Sequence, residues 1–172
     1  MDSACKSITI RLAVPSDAPD MAEVHMRSWD VAYKNILPTE YICEKNAGRL
    51  ELYKRVITKE NTKTYVIQCD GKTVGLLRVD TPQDDDLKEH YAELHYIYLH
   101  PDYFRQGIGS QAMEFAYEIA RGFGKNGMVL WVLEKNADSI RFYEKCGFSA
   151  DGKTYDKNFD KPLTSIRMRR DL

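Results

Sequence analysis

The sequence predicts a mixed α/β fold built on one central sheet, and three observations support this class. Short apolar runs rich in β-branched and aromatic residues occur before and after stretches with helical periodicity. The pair Asp70–Gly71 separates two such runs, 64–69 and 73–79, which is typical of an antiparallel hairpin. Between residues 92 and 133 a strand, a helix and a strand follow one another, which predicts a parallel, right-handed crossover.

Length and composition indicate one domain of ordinary globular type. The chain has 172 residues, and its core is expected over about residues 8–170. Apolar residues make up 43%, and 25 Lys and Arg nearly balance 26 Asp and Glu. This balance argues against nucleic acid as a partner, because such binding depends on a cationic surface. No apolar run reaches the roughly 20 residues of a membrane span, and the N-terminus lacks a hydrophobic signal region, so a cytoplasmic protein is expected.

The N-terminal half is expected to be a strand followed by helices. The alternating residues 8–12 predict the strand, and Asp17 is expected to cap the first helix. Pro38 breaks the helical pattern, and a second helical stretch extends to about Ile57, with an interruption near Gly48. One face of the first helix carries Ala18, Met21, Ala22 and His25.

In the C-terminal half, residues 104–110 open a helix, and residues 137–145 form another that stops at Gly147. The nearly all-apolar run 128–133 is typical of a strand that is buried on both faces. The other predicted strands are 92–99, 148–155 and 164–169.

Metal chemistry is not indicated, and the site prediction therefore contains no metal. The four cysteines form no Cys-x-x-Cys pair, so neither a zinc site nor a disulfide framework is predicted, and the histidines lack His-Glu-x-x-His spacing. The run 84–86 of three aspartates lies in a loop and is interpreted as a solvated acidic turn. The alternative is a set of carboxylates for a divalent cation.

The junction at 94–110 is the richest local signal. Gly107 and Gly109 at a helix start leave backbone N–H groups uncovered, and the helix dipole adds roughly half a positive charge there. Such a junction favours a phosphate or pyrophosphate, although glycines also start helices for steric reasons. It is not a P-loop, because Gly-Lys-Ser/Thr is missing, and Ala112 replaces the third glycine of the dinucleotide fingerprint.

A second block, residues 131–148, contains a strand, a polar break, a helix and a glycine stop. Asn136 at the break is either an N-cap or a group that binds a ligand, and Tyr143 is either a packed aromatic or a functional hydroxyl. Together the two blocks resemble the GNAT superfamily of acyl-CoA-dependent N-acyltransferases over about residues 8–170. The cofactor loop of that family, Q/R-x-x-G-x-G/A, departs here only in its first position, which is Phe104. The later family block, N-x-x-A/S-x-x-x-Y-x-x-x-G-F, is matched by Asn136, Ser139, Tyr143, Gly147 and Phe148.

The resemblance implies a mixed, mostly antiparallel sheet, flanked by helices, in which strands 94–99 and 128–133 splay apart. It also implies acetyl-CoA as cofactor, with the pantetheine arm on the backbone of the first of these strands and the pyrophosphate on N–H groups of the helix start. The cofactor-binding residues that it implies are Ile97, Tyr98, Leu99, Arg105, Gln106, Gly107, Ile108, Gly109, Ser110, Asn136, Ser139 and Tyr143.

The implied reaction is transfer of the acetyl group to a primary amine of a small molecule or peptide by direct attack in a ternary complex. An alkylamine with a pKa of about 10.4 is only about one part in a thousand neutral near pH 7, so a base must remove its proton. Glu93 is the proposed base, and the alternative for it is a solvated strand-end carboxylate. His95 and His100 are other candidates, with His95 placed provisionally on the opposite face of the sheet. Tyr143 is expected to protonate the leaving thiolate.

The acceptor site is the least specified part. Trp29 and Tyr33 lie four residues apart on one helix face, where they either wall the acceptor or pack against each other. A homodimer is one state that the resemblance allows. Two other functions stay open from the residues alone: a non-catalytic CoA-binding or regulatory module of the same fold, and a nucleotide-binding protein that uses the Gly107–Gly109 loop.

Overall fold

A seven-stranded sheet and five α-helices make up the computed structural model, which describes residues 5, 7–58, 63–158 and 162–172. Among the described helices none is long and apolar enough to cross a membrane. In chain order the elements are β1 (Ile8–Leu12), α1 (Ala18–Ala32), α2 (Thr39–Ala47), α3 (Arg49–Ile57), β2 (Thr64–Cys69), β3 (Lys72–Asp80), β4 (Tyr91–Leu99), α4 (Ile108–Gly122), β5 (Gly127–Leu133), α5 (Ala137–Lys145), β6 (Ser149–Asn158) and β7 (Pro162–Asp171).

The sheet is mixed, and its strand order is β1-β2-β3-β4-β5-β7-β6. The hairpin β2–β3 is antiparallel, and its turn places Asp70 at φ 50° and Gly71 at φ 84°. Two successive positive φ values are what a tight hairpin turn requires, and an Asp-Gly pair adopts them at low cost. The predicted mixed fold class and the predicted hairpin are therefore confirmed.

The strands β4 and β5 form the predicted parallel pair. Their register joins residues 91–93 to residues 127–129, and both strands continue beyond this pairing, to Leu99 and to Leu133. The other partner of β5 is β7, which pairs with it antiparallel along its whole length, from Gly127 to Leu133. The short parallel contact is the arrangement expected for a splayed strand pair.

The described chain divides into two compact units, although its length predicts one domain. The first unit is the chain up to Arg78 together with Tyr96–Phe115. Its core joins one face of α1 to α3 and to the inner residues of β2 and β3, with Tyr96 and Tyr98 packed against it. The predicted face of α1 is confirmed, since Ala18, Met21, Ala22 and His25 are all buried.

The second unit consists of Val79–His95 and Ala116–Leu172. Strand β5 supplies its fully buried residues Met128, Val129 and Leu130, as its apolar sequence predicts. The ring of Tyr117 lies beside the Arg170 guanidinium, 4.5 Å away, and both side chains donate hydrogen bonds to the Cys146 carbonyl oxygen. These contacts hold the end of α5 against α4 and β7.

Two predictions for the N-terminal segment are wrong. The Asp17 carboxylate does not cap α1 but accepts hydrogen bonds from Arg11, at 2.7 and 2.8 Å, and from the Val14 N–H. The Arg11 guanidinium holds the pKa of Asp17 below its ordinary value. Cys5 and Cys69, which were not expected to pair, form a disulfide. Strand β1 runs antiparallel to β2, and its first residue, Ile8, lies opposite Cys69. This register brings Cys5, three residues before Ile8, close to Cys69.

The acidic run 84–86 is only in part the solvated turn that was expected, because two of its aspartates also bind a buried arginine. Asp84 accepts a hydrogen bond from the Trp131 indole, and Asp86 accepts hydrogen bonds from Lys153 and Arg167. Arg167 is only 3% exposed and donates further bonds to Asp151, at 2.6 and 2.7 Å. Asp85 alone of the three is fully exposed, since its side chain is 93% accessible. The run therefore neutralises a buried arginine.

The protonation of these groups follows from the same contacts. Hydrogen bonds from Arg167 and Lys153 lower the pKa of Asp86 to about 2. Burial opposes ionisation of Asp151, yet the bonds from Arg167 leave its pKa below the ordinary value as well. The carboxylates in turn raise the pKa of Arg167 against the opposing effect of burial. All three groups are therefore charged at neutral pH.

Replacing Arg167 with methionine is expected to destabilise the protein by about 3–5 kcal/mol, because the buried Asp151 carboxylate loses its partner. In the wild type, the contribution of these carboxylates should be complete above about pH 4 and should decline toward pH 2, since they protonate less readily in the folded chain. Arg167→Met should weaken that acid dependence. Urea unfolding at a series of pH values measures both effects.

Lys153→Met is the matched control, because this lysine contacts Asp86 from a half-exposed position. Its cost should be much smaller than that of Arg167→Met. Equal losses in the two variants would contradict the assignment of Arg167 as the centre of the network.

Candidate functional site

The backbone between β4 and α4 leads into a helix whose first N–H groups have no hydrogen-bond acceptor within the helix. A short turn at Pro101–Tyr103 is followed by two residues with positive φ, Arg105 at 60° and Gly107 at 79°. The Gln111 N–H donates to the Gly107 carbonyl oxygen at 3.2 Å, which closes the first helical bond. By helix geometry, the N–H groups of residues 108–110 therefore have no acceptor within α4.

The side chains of this segment leave its backbone as the candidate binding element. Ile108 is 1% exposed and its side chain belongs to the core, so this side chain is not available to a ligand. Arg105 and Ser110 are exposed, whereas the Gln106 side chain donates to the Asp102 carbonyl oxygen at 3.0 Å. A Cβ on Gly107 would meet nothing within 4 Å, so this position requires glycine for its φ and not for space.

The last residues of β4 are half-buried, and their side chains alternate between the two faces of the strand. Tyr98 stacks on His25 with ring centroids 4.1 Å apart, so its side chain belongs to the core of the first unit. Ile97 and Leu99 have the opposite orientation. The His100 N–H donates to the Val74 carbonyl oxygen at 2.8 Å, which holds the end of the strand against β3.

In the second unit Glu93 and His95 form a pair on one face of β4. Glu93 is 5% exposed, and its carboxylate accepts a hydrogen bond from the Gln83 N–H at 2.9 Å. The other carboxylate oxygen lies 3.5 Å from Nδ1 of His95, whose Nε2 is buried with no partner in the described part of the chain. The alternative of a solvated carboxylate is therefore wrong, and so is the placement of His95 on the face opposite to Glu93.

His100, the remaining candidate base, lies in the first unit. Its Nδ1 accepts the Asp102 N–H at 3.3 Å and lies 3.6 Å from the Asp102 carboxylate. The ring therefore forms the start of the turn that precedes α4. Its position in this turn favours a structural role over proton transfer.

The second unit also holds the residues of the later sequence block. Asn136 is 6% exposed, and its Oδ1 accepts the Ser139 N–H at 3.2 Å, so the N-cap alternative is confirmed. This bond uses the oxygen and leaves the carboxamide NH₂ group as the donor for any further contact. Tyr143 is half-buried, with its ring 6.0 Å from that of Phe148 and 5.4 Å from that of Phe142.

An aromatic cluster in the first unit contains both candidate acceptor residues. Trp29 and Tyr33 meet edge to face, with ring centroids 5.0 Å apart, so they do pack against each other. The Arg49 guanidinium lies over the Trp29 ring at 4.1 Å, although the residue is only 8% exposed. His25 contacts the other side of the cluster, and its Nδ1 is hydrogen-bonded to the Tyr53 hydroxyl at 2.6 Å.

Burial decides the charge states in this cluster. Burial, and secondarily the charge of Arg49, lower the pKa of His25 to about 3, so its imidazole is neutral at pH 7. Burial also raises the pKa of Tyr53 and lowers that of Arg49. The sequence pattern predicts His25 only as a core residue and does not distinguish Arg49. The one available signal was its place directly after the helix interruption at Gly48.

The comparisons with known proteins agree on one family. The model of the acetyltransferase (GNAT) family matches residues 20–148. An uncharacterized N-acetyltransferase of Methanocaldococcus jannaschii is 28% identical over 83% of this chain, and the match spans 61% of that protein's length. The uncharacterized N-acetyltransferase YuaI of Bacillus subtilis is 30% identical over 80% of this chain and 78% of its own length.

Solved structures show the same fold. The PaiA N-acetyltransferase from Thermoplasma acidophilum, in complex with coenzyme A, superposes with a TM-score of 0.76 at 24% identity, covering 96% of this chain and 99% of its own. The acetyltransferase yncA from Salmonella typhimurium, with its cofactor acetyl-CoA, gives a TM-score of 0.65 at 21% identity, covering 97% and 95% of the two chains.

The buried imidazole of His25 is expected to make the folded protein sensitive to acid. Its pKa of about 3 lies below the ordinary value of about 6.5, so unfolding takes up a proton below pH 6.5. Stability should therefore fall by about 1.4 kcal/mol per pH unit between pH 6.5 and pH 3, relative to a His25→Gln variant. Thermal or urea unfolding of both proteins at matched pH measures the difference. The exposed His90 is the control, since His90→Gln should leave the slope unchanged.

Proposed function

The chain belongs to the acetyltransferase (GNAT) family, and we propose that it transfers an acetyl group from acetyl-CoA to a primary amine of a small molecule or peptide. The helix start at Gly107–Ser110, inside the segment that the family model matches, carries this proposal. It presents N–H groups with no helical acceptor, next to the positive end of a 15-residue helix dipole. The diphosphate of acetyl-CoA is an anion that fits such a helix start.

The donor-binding roles follow from which groups are accessible. The N–H groups of Arg105, Gln106, Gly107, Ile108, Gly109 and Ser110 bind the pyrophosphate. The backbone of Ile97, Tyr98 and Leu99 pairs with the pantetheine arm, because the parallel partner contacts only the first residues of β4. Asn136 offers its NH₂ group to a pantetheine carbonyl, since its oxygen already caps α5. Ser139, about one helical turn further along the chain, offers its hydroxyl to the same pantetheine arm.

The proton of the incoming ammonium is removed by Glu93, directly or through water. Two observations support this role: the carboxylate is buried, and the Gln83 N–H and His95 hold it in one orientation. His95 serves as a positioning residue, because its Nδ1 faces the carboxylate. A general base of this kind contributes typically 10²–10⁴ in rate. A module that only binds CoA has no use for such a pair.

The leaving thiolate receives its proton from Tyr143, whose ring is fixed by Phe142 and Phe148. A phenol hydroxyl can donate a hydrogen bond to the thiolate as it forms and pass its proton along that bond. Trp29 and Tyr33 form a wall of the acceptor site. Cytoplasmic location and a homodimer remain predictions.

Ser110→Asp should weaken acetyl-CoA binding at least about tenfold relative to Ser110→Asn, because a carboxylate at the helix start repels the pyrophosphate. The stability of the unliganded protein should not fall, since an acid is favourable in the first turn of a helix. Titration calorimetry with acetyl-CoA measures the affinity. A wild-type melting temperature that acetyl-CoA raises no more than ATP or NAD does would contradict the donor assignment.

Glu93→Gln is expected to lower kcat by about 10²–10⁴, since the carboxamide cannot accept the ammonium proton. Tyr143→Phe should lower kcat with little change in the Kd for acetyl-CoA. Thiol release from acetyl-CoA in the presence of a panel of amines measures both. Tyr155→Phe, at an exposed tyrosine, is the control for the loss of a hydroxyl. Normal turnover in Tyr143→Phe would remove that residue from the mechanism.

A further inference from the structure

Arg49 is a buried cation without an anionic partner among the described residues. It is 8% exposed, and its Nε and Nη2 atoms are shielded from solvent with no hydrogen-bond acceptor. The guanidinium lies over the face of the Trp29 ring, so neither of these two N–H donors is satisfied by that contact. A buried charge of this kind is costly unless an opposite charge meets it.

Three acidic residues on the helices of the first unit are engaged elsewhere. Asp30 on α1 accepts a hydrogen bond from Asn46 at 3.1 Å. Glu44 pairs with Lys45, and Glu51 pairs with Lys54. The partner that balances Arg49 therefore does not come from these positions.

His25 supplies a second unsatisfied group in the same cluster. Its Nε2 is buried without a partner, while its Nδ1 is hydrogen-bonded to the Tyr53 hydroxyl. When the Tyr53 hydroxyl donates to Nδ1, the proton of the neutral ring is on Nε2. Arg49 and His25 then both present N–H donors that lack an acceptor, within one aromatic cluster.

We propose that the acceptor is an amine that also carries a carboxylate, of the amino acid class, and that Arg49 and His25 bind this carboxylate. The inference rests on the proposed acetyl transfer and names its substrate class. A guanidinium donates two parallel hydrogen bonds to a carboxylate, and stacking on Trp29 fixes its plane for them. One full positive charge with a neutral imidazole matches one negative charge better than a phosphate with about −1.5 to −2.

The first experiment compares each standard amino acid with its C-terminal amide as acceptor, using thiol release from acetyl-CoA. At least one amino acid should have a kcat/KM about 100-fold above that of its amide. Arg49→Gln should bring the ratio of acid to amide close to one, and Arg49→Lys should give an intermediate ratio. Arg55→Gln, at an exposed arginine on the same helix α3, should keep the wild-type ratio. Acetyl-CoA binding in each variant verifies that it is folded.

The second experiment measures binding without turnover. In a Trp131→Phe variant Trp29 is the remaining tryptophan, so its fluorescence reports on the Arg49 edge. The same amino acid should change this fluorescence, and its amide should not. Equal use of acid and amide by the wild type, a preference for aminoalkylphosphonates, or neither turnover nor a fluorescence response with any amino acid would overturn the inference. Failure to bind acetyl-CoA would instead overturn the proposed function.

Discussion

Backbone N–H groups that a helix cannot use for itself set the position of the proposed donor site. Helix α4 begins at Ile108, and its first internal bond runs from Gln111 to Gly107, so the amides before it point outward. Positive φ values at Arg105 and Gly107 turn the chain into this arrangement within a few residues of the end of β4. Since the backbone supplies the donors of the proposed anion site, Phe104 can replace the Gln or Arg of the family motif without removing them.

The two buried arginines Arg167 and Arg49 differ in whether carboxylates neutralise their charge. Arg167 meets three carboxylates, from Asp84, Asp86 and Asp151, and is fully neutralised inside the second unit. Arg49 is stacked on an indole, and no carboxylate of the described residues reaches it. The first arrangement stabilises the fold, because every buried charge there has a partner. In the second, the charge has no anionic partner among the described residues, and we propose that the acceptor carboxylate provides one.

The order and type of the elements could be predicted from the sequence, because they depend on local patterns. The Asp70–Gly71 turn, the interruption at Gly48 and the apolar β5 all appear in the structure where the pattern placed them. The partners of charged side chains could not be predicted, since they depend on register between distant strands. Arg167 and the run 84–86 are one example, and the pairing of Cys5 with Cys69 in a disulfide depends on strand register in the same way.

The candidate site was predictable to a similar extent. Motif spacing identified Asn136 and the Gly107–Gly109 loop, because family motifs preserve positions along the chain. It did not identify Arg49, whose importance arises from burial and from the absence of an acidic neighbour. The pairing of Glu93 with His95 follows from strand alternation, which places residues two apart on one face.

The uncharged state of His25 separates the effect of pH on substrate binding from its effect on the chemical step. Because burial keeps this imidazole neutral throughout the physiological range, the electrostatic character of the aromatic cluster is constant there. In the proposed reaction, any dependence of turnover on pH near neutrality then originates in the acceptor ammonium and in the groups that take up its proton. The dependence of the turnover rate on pH accordingly reports on the chemical step and not on substrate binding at the aromatic cluster.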